Sequence, residues 1–350
     1  MNFPSFTPPL FLRGGMTMTV YAALKTAKTW ERQTVEVEPD YQEHIFQGAG
    51  GTPIFGWVAV PDRPRGTWVA TYGITGTLDN QWFLRVLGRK AFAQNYAVVL
   101  FDWRAHGKTA ELSPNLTSDG LYEGEDFVCI AEQSKALGCP APFWLAGYSL
   151  GGQLALWGAK ASQSIDPSEH PNLQAAEIAG AAVICPSLES HRSLTYLVKS
   201  PLGKKLEQRI AQELKKLAWR IHDAHPGALD AAAIDRANSI WGFDRELVIA
   251  PLGFPTVEDY YATTSPLYIL PHIAKPTLIL YAENDPMFDP TLVPDLRTAC
   301  DLNPALTPLI TPFGGHVGYI SSSSCQQESG DADPWWAWNR VLDWVESGVA

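Results

Sequence analysis

Short apolar runs alternate with amphipathic stretches along most of this chain. A short continuous apolar run predicts a buried strand, and apolar positions spaced three or four residues apart predict a helix. The predicted strands are 35–38, 53–60, 67–72, 97–101, the run that opens at 142, 178–184, 277–281 and 306–311. The predicted helices are 80–93, 121–137, 153–160, 292–300 and 335–345. Strands separated by helices in this way indicate a mostly parallel, twisted sheet with helices on both faces.

The alternation stops between Cys185 and Ala274. Within that stretch, residues 203–221 have the pattern of an amphipathic helix, and residues 231–239 predict a second helix. The apolar stripe of the first helix consists of Leu206, Ile210, Leu214 and Leu217. A connection of this length is uncommon unless it has structure and a role of its own. We therefore predict that residues 186–273 form a mainly helical cap, inserted above the edge of the sheet and apolar on the side that faces it.

This interpretation divides the chain into an α/β core, a cap and an arm. The core consists of residues 31–185 and 274–350, and residues 1–30 are predicted to be an N-terminal arm packed on it. Residues 321–333 are polar and are predicted to form a loop before the final helix. The fold class expected is therefore α/β, with one insertion between two strands of the sheet.

Charge narrows the class of partner. The 350 residues carry a formal net charge of −11, and the isoelectric point is near 5.2. Nucleic acids and anionic membrane surfaces bind clustered Lys and Arg, so the balance argues against both. The expected partner is a small molecule that carries little negative charge. The sequence does not assign an oligomeric state.

The cysteines and the beginning of the chain bear on location. The five cysteines are odd in number and have no metal-ligand spacing, so neither a disulfide framework nor a metal site is expected. The first residues lack a basic segment and contain several prolines, unlike a signal peptide. No apolar run approaches the roughly 20 residues that span a bilayer, so no membrane-spanning helix is expected, although peripheral contact with lipid stays open. We expect a cytoplasmic protein without a cofactor.

The most informative motif is Gly-x-Ser-x-Gly at Gly147, Ser149 and Gly151. It lies between the strand that opens at Pro142 and a helical stretch, which is the context of a nucleophile elbow. The two glycines let strand and helix pass close together, and the turn exposes the serine hydroxyl at the carboxyl end of the strand. We therefore predict that Ser149 is a nucleophile.

A nucleophilic serine needs a base and a carboxylate that orients it. Two later loops supply them, with Asp285 after the strand 277–281 and His316 after the last strand. The order Ser, Asp, His is the one found in α/β-hydrolases. His106 competes as the base but precedes the elbow, next to Asp102 and Arg104, which we interpret as a structural charge pair. Asp289 and Glu283 compete for the place of Asp285.

Oxyanion stabilisation requires fixed donors, for which backbone amides are suited. One is expected from Leu150, directly after the nucleophile, and the other from the loop after the strand 67–72, with Ile74 favoured. Four aromatic residues near the elbow or in the cap are candidate substrate contacts: Tyr72, Tyr148, Trp241 and Phe254.

At this point the chain resembles the α/β-hydrolase superfamily, through residues 147–152, 284–286 and 314–318. Within it, the segments 243–244, 250–254 and 259–261 resemble the YheT-like branch, which is related to mammalian ABHD1/ABHD3-type lipases. The resemblance covers nearly the whole chain and implies a carboxylic-ester hydrolase that acts on short to medium acyl chains, with the same three catalytic positions. Two departures stand out: Tyr72 replaces a His found in many members, and Ala105 replaces a Gly.

The function expected is hydrolysis of neutral carboxylic esters through an acyl-enzyme. Acyl transfer to another alcohol or amine, or perhydrolysis, would use the same triad and stays open. A non-catalytic protein that binds an apolar ligand is the alternative from another class.

Overall fold

A computed structural model describes residues 3–348 of the chain. The predicted arm and core include positions 1–2 and 349–350, which lie outside the described residues. The strands are β1 (Gln42–Gln47), β2 (Pro53–Ala59), β3 (Thr67–Thr71), β4 (Ala97–Phe101), β5 (Phe143–Tyr148), β6 (Ile178–Ile184), β7 (Thr277–Ala282) and β8 (Leu306–Thr311). They form one sheet in the order β1-β2-β4-β3-β5-β6-β7-β8.

The strand directions divide the sheet into two parts. β1 pairs antiparallel with β2, and β2 pairs antiparallel with β4. Every pair from β4 through β3 to β8 is parallel. Each residue of β3, β4, β5 and β7 is buried, as expected for strands covered by helices on both faces. The predicted α/β-hydrolase architecture is confirmed.

Helices connect the strands and cover the sheet. In the core they are α1 (Gly15–Leu24), α2 (Trp30–Gln33), α3 (Trp82–Ala93), α4 (Thr109–Leu112), α5 (Glu123–Lys135) and α6 (Leu150–Ala161). Between β6 and β7 they are α7 (Ser190–Leu197), α8 (Pro201–Ala224), α9 (Ala231–Arg236), α10 (Ile240–Phe243) and α11 (Val257–Thr264). After β7 they are α12 (Leu292–Leu302), α13 (Ser323–Ser329) and α14 (Trp336–Glu346).

The prediction of a strand at 35–38 is wrong. Val35 and Val37, the apolar residues of this alternation, are 64% and 83% exposed. Glu36 and Glu38 point inward instead, because basic residues of α3 bind them; the Nε atom of Arg89 lies 2.5 Å from a Glu38 oxygen. Alternation alone does not reveal which of its two sets of residues is buried.

The prediction of a loop throughout 321–333 is also wrong, since α13 occupies its middle. Ser322 caps this helix, and its Oγ atom accepts a hydrogen bond from the amide of Cys325 at 3.2 Å. Cys325 is buried and fixes the helix to the core. One buried residue and one N-terminal cap are therefore enough to stabilise a helix in this polar segment.

The segment between β6 and β7 contributes an apolar cluster of its own. This cluster includes residues of α8, α9, α10 and α11, and Ile74 of the core packs at its edge. The segment begins beyond the carboxyl end of β6, next to the strand that leads to Ser149. The division into arm, core and cap stays a prediction. Within residues 3–348, none of the helices combines the length and apolar character that crossing a bilayer requires.

Candidate active site

Ser149 lies in a strained turn between β5 and α6. Its backbone has φ 54° and ψ −128°, in the left-handed half of backbone space that a side chain disfavours. The turn is tight, because a Cβ atom on Gly147 would lie 2.1 Å from the carbonyl oxygen of Gly151. The Ser149 amide donates to the carbonyl of Ile184 on β6 at 3.0 Å and holds the turn against the sheet. This geometry directs the hydroxyl away from the end of β5.

The imidazole of His316 joins Ser149 to Asp285. Its Nε2 atom lies 2.8 Å from the Ser149 Oγ, and its Nδ1 atom lies 2.8 Å from Oδ2 of Asp285. A carboxylate can only accept, so Nδ1 carries the proton and Nε2 is free to accept the serine proton. The second oxygen of Asp285 accepts from the amide of Met287 at 2.8 Å, which fixes the carboxylate. The structure thus brings together the three residues predicted from sequence.

The two competing acids have other partners. Asp289 accepts hydrogen bonds from the amide and hydroxyl of Thr291, at 2.9 and 2.6 Å. Glu283 pairs with Arg297 at 2.8 Å on the surface. In the described chain, neither contacts His316.

His106, the competing base, serves the loop after β3. Its Nε2 atom accepts from the amide of Thr75 at 3.0 Å, and its Nδ1 donates to the carbonyl of Arg104 at 3.0 Å. The ring stacks on Trp103, and burial lowers the pKa of His106 to about 3. The imidazole is therefore neutral at physiological pH. Both of its nitrogens are occupied by backbone groups.

The predicted charge pair of Asp102 and Arg104 is wrong. Arg104 pairs with Asp126 of α5, with its Nε 2.7 Å from Oδ2. Asp102 instead accepts from the hydroxyl of Tyr72 at 2.5 Å and from two backbone amides. Burial raises the pKa of Asp102 to about 6, although these donors oppose the shift. A buried arginine pairs with whichever carboxylate the tertiary fold brings to it, here one that lies 22 positions away.

Two backbone segments border the nucleophile, the loop that carries Ile74 and the start of α6 at Leu150; the oxyanion role of the two amides stays a prediction. A Cβ atom on Gly73 would lie 3.3 Å from the Ser149 Oγ, so the loop after β3 runs directly beside the hydroxyl. Leu150 is the first residue of α6, where amides have no partner within the helix. Thr75, the next residue of the loop, has φ 67° and is held by His106. The site thus has two backbone segments suited to bind a developing negative charge.

Helix α1 supports the loop that carries His316. The Oγ1 atom of Thr19 accepts from the amide of His316 at 2.8 Å and donates to the carbonyl of Gly15 at 2.8 Å. Asn284 accepts from the amide of Gly315 at 3.0 Å and donates to Arg13. Nothing in the sequence near Thr19 indicated this role, because it depends on a contact between residues 297 positions apart.

A cavity leads from Ser149 into the segment between β6 and β7. The stripe of α8 supplies part of its wall, and residues of α10 and of the loop after β7 supply more. Its apolar lining includes Ile210, Leu214, Leu217, Phe243, Met287 and Phe288. Asp119 and Asp244 also line the cavity, and sequence reasoning missed both. A second cleft meets the first at Ser149 and passes His316.

Of the four predicted substrate contacts, the structure brings only Tyr148 to the site. Its ring lines the second cleft, and its hydroxyl donates to Gln81 at 2.5 Å. Tyr72 is buried behind the loop after β3, since Asp102 binds its hydroxyl. Trp241 packs on Tyr261, with ring centres 5.3 Å apart, and Phe254 packs on Tyr260 at 5.4 Å. Within residues 3–348, those three line neither cavity, and their role as substrate contacts stays a prediction.

Outside the active site, Glu125, Cys129 and His170 have potential metal-ligand atoms within 4.8 Å of one another, a grouping that sequence spacing did not indicate. Both imidazole nitrogens of His170 are already taken up by carboxylates, Nε2 by Glu125 at 2.5 Å and Nδ1 by Glu132 at 2.8 Å. The geometry therefore describes an ion-paired histidine.

Residues 37–324 match the alpha/beta hydrolase family. The chain belongs to this family. It is 51% identical to "Putative esterase slr0264" of Synechocystis sp., over 98% of this chain and 95% of that protein. It is 29% identical to "Putative esterase YheT" of Escherichia coli, over 59% and 55% of the two chains. It is 27% identical to mouse "Phospholipase ABHD3", over 71% and 57%.

The match to these relatives confirms the YheT-like branch, and with it a hydrolase. Among solved structures, the Pyrococcus furiosus esterase Pf2001 superposes on this α/β-hydrolase with a TM-score of 0.55. That likeness covers 100% of this chain and 99% of the other at 13% identity, so it concerns the fold alone.

Proposed function

We propose that this α/β-hydrolase cleaves carboxylic esters of short- to medium-chain acids through an acyl-enzyme. The observation that carries the proposal is the position of the His316 ring between Ser149 and Asp285, with both contacts at 2.8 Å. In this arrangement a neutral imidazole can take a proton from serine while a carboxylate stabilises the resulting imidazolium. The names of the relatives, which describe esterases and a phospholipase, support the same class of reaction.

The first half of the proposed reaction forms a bond from Ser149 to the acyl carbon. Oγ attacks the ester carbonyl as its proton passes to Nε2 of His316, and the carbonyl oxygen becomes an oxyanion bound by the amides of Ile74 and Leu150. The oxyanion collapses, the carbon–oxygen bond to the alcohol breaks, and the alcohol leaves with the proton from His316. Asp285 keeps the ring in one orientation throughout.

The second half repeats these steps with water. His316 takes a proton from a water molecule, which attacks the acyl carbon, and the Ser149 oxygen leaves with that proton. The product acid is released and the serine is restored. Transfer to another alcohol would follow the same path with that alcohol in the place of water.

The cavity supports a preference for neutral over anionic acyl groups. Its wall carries apolar side chains from α8 and α10. In the described chain its acidic lining residues are Asp119 and Asp244, and no Lys or Arg lines it. A substrate tail that ends in a carboxylate would meet like charge without a compensating cation, so its entry is disfavoured.

Active-site labelling and an ester profile test the proposal together. A fluorophosphonate probe is expected to label the protein at Ser149 and to leave Ser149→Ala unlabelled. Nitrophenyl esters of increasing acyl length are expected to be hydrolysed, with a maximum at short or medium length. If Ser149 stays unlabelled and no ester is cleaved, the protein does not act as a serine esterase, and binding of an apolar ligand becomes the better hypothesis.

A further inference from the structure

The apolar cavity that begins at Ser149 contains two carboxyl groups contributed by different parts of the chain. Asp119 lies in the loop between α4 and α5, and Asp244 follows α10 in the segment between β6 and β7. Each residue is 7% exposed, and both line the cavity. Carboxyl groups are seldom buried without a partner, so their presence here calls for a physical reason.

Hydroxyl groups are the hydrogen-bonding neighbours of both carboxyl groups. Oδ1 of Asp119 accepts a long hydrogen bond from Thr117 at 3.3 Å, the hydroxyl of Tyr260 is a second hydrogen-bonding neighbour of Asp119, and Oδ2 of Asp244 accepts from the hydroxyl of Tyr261. Within residues 3–348, no basic residue lines the cavity or stabilises the charge of either group. The pair therefore faces the cavity without a compensating cation.

The protonation of the pair favours a cation. Burial raises the pKa of Asp119 to about 7, and the charge of Glu123 adds to the effect. Burial also raises the pKa of Asp244 well above its usual range, and the charge of Asp119 adds to it. Burial and mutual repulsion therefore oppose the charge of this pair, and the protein places no cation beside it to offset them. A cation entering the cavity would compensate a charge that the protein leaves unpaired.

The path between this pair and the nucleophile is apolar. Ile210, Leu214 and Leu217 of α8 line the same cavity, and Ser149 lies in its wall. A ligand that spans it needs a hydrocarbon stretch flanked by an ester at one end and a hydrogen-bond donor at the other. We propose that Asp119 and Asp244 form a binding subsite for the ammonium group of an ester whose acyl chain ends in an amine. This inference rests on the proposed esterase function and specifies its substrate class.

Three esters with equal acyl length and the same leaving group test the subsite. One acyl chain ends in methyl, one in ammonium and one in carboxylate. In the wild-type protein, kcat/KM is expected to be highest for the ammonium ester, about tenfold or more above the methyl ester, and lowest for the carboxylate ester. Equal values for the ammonium and methyl esters would overturn the proposal.

Variants of the pair show whether these carboxyl groups cause the preference. In Asp119→Asn and Asp244→Asn, the ratio of kcat/KM between the ammonium and methyl esters is expected to fall to about one. Asp235→Asn is the matched control, because it removes an exposed carboxylate of α9 and should leave the ratio as in the wild type. An unchanged ratio in both cavity variants would mean that the pair only joins two parts of the fold. Should Asp244→Asn fail to fold, Asp119→Asn still decides the question.

Binding of n-hexylamine separates this inference from the esterase function. Calorimetry is expected to detect its binding to the wild-type protein, weaker binding to Asp119→Asn and weaker binding of n-hexanol to both. If esters are hydrolysed but n-hexylamine and n-hexanol bind alike, the subsite is wrong and the esterase stands. If n-hexylamine binds selectively but no ester is cleaved, the subsite stands and the proposed reaction is wrong.

Discussion

The Nε2 atom of His106 accepts a hydrogen bond from the backbone amide of Thr75, at a distance of 3.0 Å. This contact occupies the amide that follows Ile74, in the loop that passes beside Ser149. Because Thr75 has φ 67°, the loop needs an external partner to keep this conformation. We infer that His106 positions the oxyanion donor and takes no direct part in proton transfer.

Replacing His106 by Phe should therefore lower kcat by about tenfold to about a hundredfold and change KM little, because the interaction is realised in the transition state. Steady-state kinetics on one nitrophenyl ester provide the measurement. Thr75→Ala is the matched control, since it keeps the backbone amide. A change confined to KM, or equal losses in both variants, would contradict the positioning role.

The low pKa of His106 allows a second test of its positioning role. Burial holds its pKa near 3, so the ring stays an acceptor across the working range. The pH profile of kcat/KM in the wild type should accordingly show no inflection from His106 above about pH 5, and His106→Phe should keep the shape of the profile at a lower level. An inflection that disappears in the variant would make His106 the general base.

The triad should behave as one unit. Ser149→Ala, Asp285→Asn and His316→Ala should each reduce kcat by about three to six orders of magnitude while the far-UV circular dichroism stays as in the wild type. The double variant of Ser149 and His316 should be little worse than either single variant, because removing one member already disables the others. Losses that multiply in the double variant would show that the two side chains act independently.

The hydrogen bond from the His316 amide to Thr19 predicts an effect of α1 on turnover. Thr19→Val removes the acceptor at nearly constant volume, and the loss of one such bond costs about 1 kcal/mol, so kcat should fall by roughly fivefold to tenfold. Thr17→Val serves as the control, since Thr17 is an exposed residue of the same helix. Equal activity of the two variants would mean that the loop of His316 holds its place without α1.

The ion pairs of His170 predict a stability that depends on pH. Burial alone would lower the pKa of His170, but hydrogen bonds to Glu132 and Glu125 outweigh it and raise the pKa. A raised pKa means that the folded state binds the proton more tightly than the unfolded state. The stabilisation is therefore fully present below the unfolded value of about 6.5, and it is lost as the pH rises through the folded value.

Urea unfolding of the wild type and of His170→Gln, from about pH 5 to about pH 9, measures this effect. The difference between the two free energies of unfolding should be largest at the acid end and should shrink as the pH rises. Glu132→Gln, which removes one of the two partners, should reduce the pH dependence of that difference. A difference that grows toward alkaline pH would show that the ring is neutral in its pocket.

Sequence predicted the sheet better than it predicted its surroundings. Strands β3, β4, β5 and β7 are short runs that are buried at every residue, and a run buried on both faces is typical of a parallel sheet covered by helices. The strand predicted at 35–38 was wrong because an alternating pattern defines two faces but does not show which face is buried. The loop at 321–333 misled because Cys325, a single buried residue, was enough to fix a short helix there.

The residues of the candidate site also fall into those that the sequence predicted and those that it did not. Ser149, Asp285 and His316 were predictable because each follows a recognisable strand, and strand ends meet at one edge of a parallel sheet. Thr19 contacts the loop of His316 and Asp244 lines the cavity, both through long-range packing that no local pattern marks. His106 was recognised only as a competing base, because its contact with Thr75 also joins separate segments. Trp241 and Phe254 were chosen for their bulk, but bulk serves packing as readily as it serves a ligand.

The contact between Thr19 and His316 also makes catalytic activity an indicator of complete folding. Ser149 and the strand before it can be translated and packed while His316 has yet to be made. A serine without a general base is a poor nucleophile. In a partly synthesised or partly refolded molecule, Ser149 is therefore unreactive. Full turnover is expected only after the loop of His316 has packed against α1, which lies 297 positions earlier in the chain. The rate at which activity returns after denaturation should therefore report the formation of this long-range contact. Spectroscopic signals should change earlier, as local structure forms.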